Sequence, residues 1–255
     1  MSPFLRFRKK GDIPIFLAFS HLRRYGAGMP RTGRSAPGGK IYHVLNRGNG
    51  RCDLFHKEQD FAAFQDLLFQ VREAAPMRIL AWCLMTTHWH LVLWPIEDGQ
   101  LSSYMLRLTT THVRRHHAHY HTDCGGHLYQ GRFKSFPVQD DHHFLTLCRY
   151  VEANPFRAGI VKRAEQWPWS SLWAREHARS HVMPDAWPVR RPRDWKQVVN
   201  EPMQKPEIEQ VQASLNRGRP LGSDAWVRRV ADELGLGFTL RDRGRPRKMP
   251  AGAGK

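Results

Sequence analysis

Two apolar runs, residues 77–85 (MRILAWCLM) and 88–94 (HWHLVLW), stand end to end with only Thr86 and Thr87 between them. Almost every residue in them is apolar, rather than every second one, so they read as strands of a central β-hairpin buried on both faces. Thr-Thr lacks the positive-φ residues that tight hairpin turns prefer, so the sequence does not set the turn's limits. Other elements must cover this hairpin. Residues 41–46 (IYHVLN) read as a strand. Residues 58–74 read as a helix with Phe61, Phe64, Leu67, Leu68 and Val71 on one side. A second helix follows at about 99–120, a strand at 128–138, and a helix from Asp140 or Asp141 to Asn154. The order β-α-β-β-α-β plus a helix predicts an α+β fold, a ferredoxin-like split βαβ antiparallel sheet with packed helices and basic terminal extensions.

The flanks differ in composition. Residues 1–40 read as a basic N-terminal arm, and within it residues 26–40 are rich in Gly, Pro and Arg and read as a linker; Met29 is an alternative start. Residues 41–184 form the expected folded domain, with Trp167, Trp169 and Trp173 capping its core or, alternatively, stacking on bases. Residues 185–206, rich in Pro and charge, read as a linker, and 207–255 as a basic C-terminal extension that binds DNA. Within it, residues 224–234 are amphipathic, with Ser223 as N-cap and Gly235 as stop.

Charge narrows the partners. The chain of 255 residues carries 40 Lys and Arg against 23 Asp and Glu, a net +17. Residues 1–40 contribute +8, 41–160 only +1, and 161–255 another +8. A near-neutral core with basic flanks suits nucleic acid better than the uniformly basic coat of a packaging protein; basic flanks kept for solubility are the plainer alternative. No run reaches the ~18 apolar residues that a membrane span needs. The short apolar run 13–19 lacks a clear cleavage site behind it, which argues against secretion. Cys52, Cys83, Cys124 and Cys148 show no paired spacing and read as reduced thiols in a cytoplasm, where a nucleic-acid partner would make the protein nucleoid-associated.

Chemistry concentrates at two places. His88 and His90, two apart on a strand, send both imidazoles to one face, where they could share a divalent metal; two incidental polar residues are the alternative. On the last helix, Phe144, Leu147, Cys148 and Val151 form an apolar stripe with Tyr150 and Asn154 along its edge. That pair reads either as a nucleophile beside a third metal ligand or as a helix-edge Tyr with an Asn cap before Pro155.

Together with TTHWHLVLWP (86–95), LYQGRFKSFPV (128–138) and CRYVEANPFRAGIVKRAEQWPWSS (148–171), these residues resemble the single-tyrosine HUH transposases, in particular those associated with repetitive extragenic palindromes. The similarity spans about residues 29–175. It implies that 41–184 is the catalytic domain, that His88 and His90 are metal ligands, that Tyr150 is the nucleophile, and that Asn154 stands where the family places its third ligand, often Gln in mobile elements. The implied activity is that of an endonuclease and strand transferase on single-stranded or hairpin DNA, with Mg²⁺ or Mn²⁺, a 5′-phosphotyrosine and no ATP. The protein would act as a monomer or homodimer.

Arg132 and Lys134, read as alternating on a strand, could pair phosphates. So could Arg217 and Arg219, and Arg243 and Arg245, in two Arg-Gly-Arg-Pro stretches with the look of minor-groove hooks. Solvated basic surface would use the same residues. His112, His116, His117, His119, His121 and His127 near Cys124 fit no standard zinc spacing. A non-catalytic DNA-binding protein and a zinc hydrolase are the competing functions, the second without an H-E-x-x-H helix.

Overall fold

In a computed structural model, which describes residues 36–121, 126–177 and 182–241, four strands form one antiparallel sheet in the order β2-β3-β1-β4. They are β1 (Ile41–Arg47), β2 (Arg78–Met85), β3 (His88–Trp94) and β4 (Lys134–Val138). Helix α1 (Glu58–Ala74) links β1 to β2 and α2 (Gln100–Tyr120) links β3 to β4, so each crossover straddles a strand of the other. This is the split βαβ arrangement, and the α+β expectation holds. The Thr86-Thr87 turn is held from outside. Its carbonyls accept from Leu54 N at 2.8 Å, Phe55 N at 3.3 Å and Gly48 N at 2.9 Å, so a loop elsewhere in the chain supplies what the turn's own residues lack.

Period-two alternation divides the side chains between two cores. Tyr42, Val44, Trp82, Leu84, Trp89, Leu91 and Leu93 pack against Phe64, Leu67 and Leu68 of α1 and Leu101, Tyr104 and Leu108 of α2. Cys83, Met85, Val92, Phe136 and Val138 face the other way. They meet Phe144, Leu147, Cys148 and Val151 of α3 (His142–Glu152), along with residues of α6 (Trp195–Asn200) and α7 (Lys205–Arg217). Asp141 caps α3 by accepting from His143 N.

Both sheet edges are covered, and here the structure departs from the sequence reading. Asp185 exchanges hydrogen bonds with the Ile79 backbone at 2.8 and 2.7 Å, and the Trp187 indole donates to Leu80 O at 2.8 Å. Residues 185–206, expected as a linker, thus cap β2 and then form α6; their proline-rich composition suits an extended capping segment. Leu84 N also donates to Trp169 O at 2.9 Å. On the far edge, Leu221 lies beside β4, donating to Pro137 O at 2.9 Å and accepting from Gln139 N at 2.8 Å. These contacts occupy part of the open ladder on each edge.

The strand expected at 128–138 begins only at Lys134. Its first half is drawn onto the end of β1 and the 48–52 loop instead, with Asn49 N donating to Leu128 O at 2.9 Å and Gln130 N to Arg47 O at 2.9 Å. Arg132 therefore lies outside the strand. Helix α5 (Ser171–His177) follows the Trp-rich segment, in which Trp169 stacks on Phe61 at 5.4 Å. Helix α8 (Asp224–Glu233) ends before Gly235, whose φ of +65° suits glycine. No helix among the described residues is long and apolar enough to cross a membrane. Residues 1–35, Cys124, Arg243 and Arg245 lie outside the described residues.

Candidate active site

The β3 register sets the first half of the site. His88 pairs with Arg47 and Met85, and His90 with Leu45 and Cys83; both imidazoles lie on the α3 side of the sheet, their ring centroids 5.2 Å apart. His90 is buried, with Nδ1 2.9 Å from Nε2 of His43, a β1 residue for which the sequence suggested no role. His88 Nδ1 lies 3.1 Å from Thr87 Oγ1. Burial, assisted by Arg47, pushes His88 down to about 4. Burial first, then the neighbouring His43, His88, Arg157 and Arg47, holds His90 well below the usual imidazole range, and burial alone brings His43 to about 3. All three rings are neutral at pH 7, the form in which an imidazole binds a metal.

Trp89 points to the opposite core. Its indole donates to Tyr129 Oη at 3.1 Å, and that hydroxyl, having one hydrogen, donates in turn to His112 Nδ1 at 2.6 Å. His112 is thus an acceptor in a buried chain that anchors the middle residue of the His-Trp-His strand. Among the described residues, the one His/Cys/Asp/Glu group whose ligand atoms converge is Asp141, His142 and His143, and Asp141 is already engaged as the α3 cap. The histidines at 112–121 form no such group.

Helix α3 supplies the second half. Tyr150 is buried, its ring centroid 6.2 Å from that of His90, and the Arg157 guanidinium lies 3.8 Å from its ring centroid. The helix expected to run to Asn154 stops at Glu152, and Asn154 opens the short α4 (Asn154–Arg157). Pro155 has no N–H to continue the α3 ladder, which accounts for the break. Ala153 keeps near-helical angles (φ −79°, ψ −3°) and bonds to Arg149 O at 2.9 Å, so Asn154 still follows Tyr150 by one turn. On the far side of α3, Glu152 is fully buried and accepts from Arg175 at 2.9 Å, from the Trp195 indole at 2.7 Å and from Ser171.

These segments enclose a cavity of about 580 Å³ lined by His88, His90, Tyr150 and Asn154, with Arg47, Arg132, Lys134 and Arg157 around them. No carboxylate among the described residues lines it. Gln212, Leu215 and Asn216 of α7 form one wall, so a helix assigned from sequence to a separate extension borders the site. A single chain brings the His pair and Tyr150 together. Arg217 and Arg219 are not part of the lining, and Arg219 pairs with Asp224 at 3.8 Å. With Nδ1 of His90 engaged by His43, its Nε2 is left for a ligand. Two neutral imidazoles and the Asn154 carboxamide fit a divalent cation, with remaining positions open to substrate oxygens. Arg47, Arg157, Gln212, Asn216 and His43 were missed from sequence. Only His43 left a local signal, a polar residue inside a strand buried on both faces.

Residues 39–154 match the family described as transposase IS200 like. Over 136 residues the chain is 24% identical to the REP-associated tyrosine transposase of Escherichia coli (strain K12), which covers 53% of this chain and 77% of that protein. It is also similar to a solved structure of the REP-associated tyrosine transposase bound to a REP hairpin, with a TM-score of 0.46 and 23% identity, covering 65% of this chain and 88% of the other. The segment similar to the IS200-like transposase family, residues 39–154, holds the His pair, Tyr150 and Asn154.

Proposed function

We propose that the protein cleaves and rejoins single-stranded or hairpin DNA, with Tyr150 as nucleophile and His88, His90 and Asn154 holding Mg²⁺ or Mn²⁺. The observation that carries this reading is the convergence of those four side chains, from β3, α3 and α4, on one cavity ringed by basic side chains and, among the described residues, lined by no carboxylate. The Tyr150 phenol oxygen attacks phosphorus, forming an O–P bond as the P–O3′ bond breaks. The phenol proton is transferred, directly or through solvent, to the departing 3′ oxygen, and the 5′ phosphate remains esterified to Tyr150. The ester conserves the bond energy, so the 3′ hydroxyl can reverse the step without ATP. The bound cation supplies Lewis-acid polarisation of a phosphodiester oxygen. Arg157, stacked on the ring, fixes its plane and sets positive charge beside the reacting phosphate. Arg132 and Lys134, both exposed at the cavity, hold flanking phosphates, and Arg217, Arg219, Arg243 and Arg245 extend the contact along the DNA. The E. coli relative's association with REP sequences, and the REP hairpin bound in the solved structure, support repetitive palindromes of the nucleoid as the substrate class.

The test is strand cleavage of end-labelled hairpin and unpaired oligonucleotides. Cleavage with Mg²⁺ or Mn²⁺ is expected, lost on chelation and reduced at least ~100-fold by His88→Ala or His90→Ala. Tight binding of such DNA with no cleavage under either metal would instead mark a non-catalytic DNA-binding protein.

A further inference from the structure

We infer that His43 is a positioning residue for His90, setting which of its ring nitrogens is free to take a cation; this rests on the metal reading above. His43 does not line the cavity. It is buried in mid-strand, stacked on Phe136 at 4.9 Å and 28°, with Nε2 2.9 Å from His90 Nδ1. Two neutral imidazoles meeting nitrogen to nitrogen share one hydrogen, which leaves two arrangements.

In one, His43 carries the shared hydrogen on Nε2 and donates it to His90 Nδ1. The His90 hydrogen is then on Nε2, and that nitrogen cannot ligate. In the other, His90 donates from Nδ1, its Nε2 presents a lone pair, and the His43 hydrogen moves to Nδ1. Only the second arrangement binds a cation. His43 Nδ1 has no hydrogen-bond partner among the described residues, so this arrangement leaves a buried N–H that none of them pairs. Loading the site therefore selects the second arrangement, with no net proton gained or lost by the pair. A metal-bound histidine ordinarily donates its second N–H to a carboxylate, carbonyl or water. Here a neutral imidazole takes that place. It holds the ring without adding a negative charge to a cavity that must admit phosphate.

The test is calorimetric titration of the full chain with Mn²⁺, without DNA. His43→Phe keeps the shape and the Phe136 contact but removes the acceptor, and is expected to weaken Mn²⁺ binding about 10–100-fold. His43→Gln places an amide oxygen near the former Nε2 and should recover most of that loss, which a purely structural role would not produce. Thermal melts of the metal-free variants verify folding. On the wild type, imidazole ¹⁵N spectra should show His90 protonated at Nδ1 when Mg²⁺ is bound, so the inference stays testable even where a variant fails to fold. Mn²⁺ binding that is lost in His88→Ala but unchanged in a folded His43→Phe overturns the role of His43 and leaves the metal site standing, as does a loaded His90 protonated at Nε2. A wild type that takes up neither cation overturns the metal site and the inference together.

Discussion

Glu152 sits two residues beyond Tyr150 and on the opposite side of α3, where it ties that helix to α5 through Ser171 and Arg175 and to α6 through Trp195. Arg175 also donates to Leu80 O at 2.7 Å, so the ion pair reaches the edge of the sheet. The carboxylate is wholly buried and the Arg175 side chain is only 9% exposed. Removing one partner leaves an uncompensated charge in the core. Glu152→Ala is expected to destabilise the fold by about 3–5 kcal/mol in urea unfolding, where a loss below ~1 kcal/mol would show that the pair is well solvated. The residue that anchors the helix carrying Tyr150 is thus a buried charged one. The apolar stripe of α3 was legible in the sequence, but the burial of Glu152 was not, because its three partners lie 19 to 43 residues away.

At the scale of elements, the chain Trp89–Tyr129–His112 joins β3 to α2 across the core opposite the cavity. Burial is the main force bringing His112 down to about 3, against 6.5 for a free imidazole. As pH falls below about 6.5 the unfolded chain takes up a proton that the native chain refuses until about pH 3, so stability is lost through that window and unchanged above it. His43, His88 and His90 act in the same direction. His112→Gln removes one such proton while keeping an acceptor for Tyr129. The difference in unfolding free energy between pH 7.5 and pH 5 should shrink by about 2 kcal/mol, and an unchanged pH dependence would place His112 in contact with water.

What the sequence disclosed about elements follows from how local their causes are. β3 was read residue for residue because its apolar run is bounded by a polar turn and a proline, and α1 because its stripe has the helical period. β4 was read too long, since the pull of the 48–52 loop on residues 128–130 is not local. Residues 185–206 read as a linker because an edge-capping segment has a linker's composition. The site divides the same way. The His pair and the Tyr-x-x-x-Asn spacing are visible within a few consecutive residues, whereas Arg157 over Tyr150, His43 behind His90 and the α7 wall exist only once the sheet has formed.

The charge pattern takes on a sharper meaning in the whole molecule. Residues 41–160 carry a net +1, yet Arg47, Arg132, Lys134 and Arg157 from that segment gather at the cavity, with no acidic side chain among the described residues in its lining. Near-neutrality along the chain conceals separation in space, and under the proposed function that separation is what would admit a phosphodiester. The C-terminal part belongs to the same unit: α7 walls the cavity and Leu221 covers β4, so DNA contacts there are best probed by point substitutions rather than by removing the segment. The central claim is a covalent bond between DNA and Tyr150. Incubation of the full chain with a labelled hairpin oligonucleotide and Mn²⁺, followed by a denaturing gel and peptide mass spectrometry, should give an adduct on the peptide containing Tyr150 that disappears in Tyr150→Phe. An adduct that persists in Tyr150→Phe, or that maps to another residue, would contradict the account.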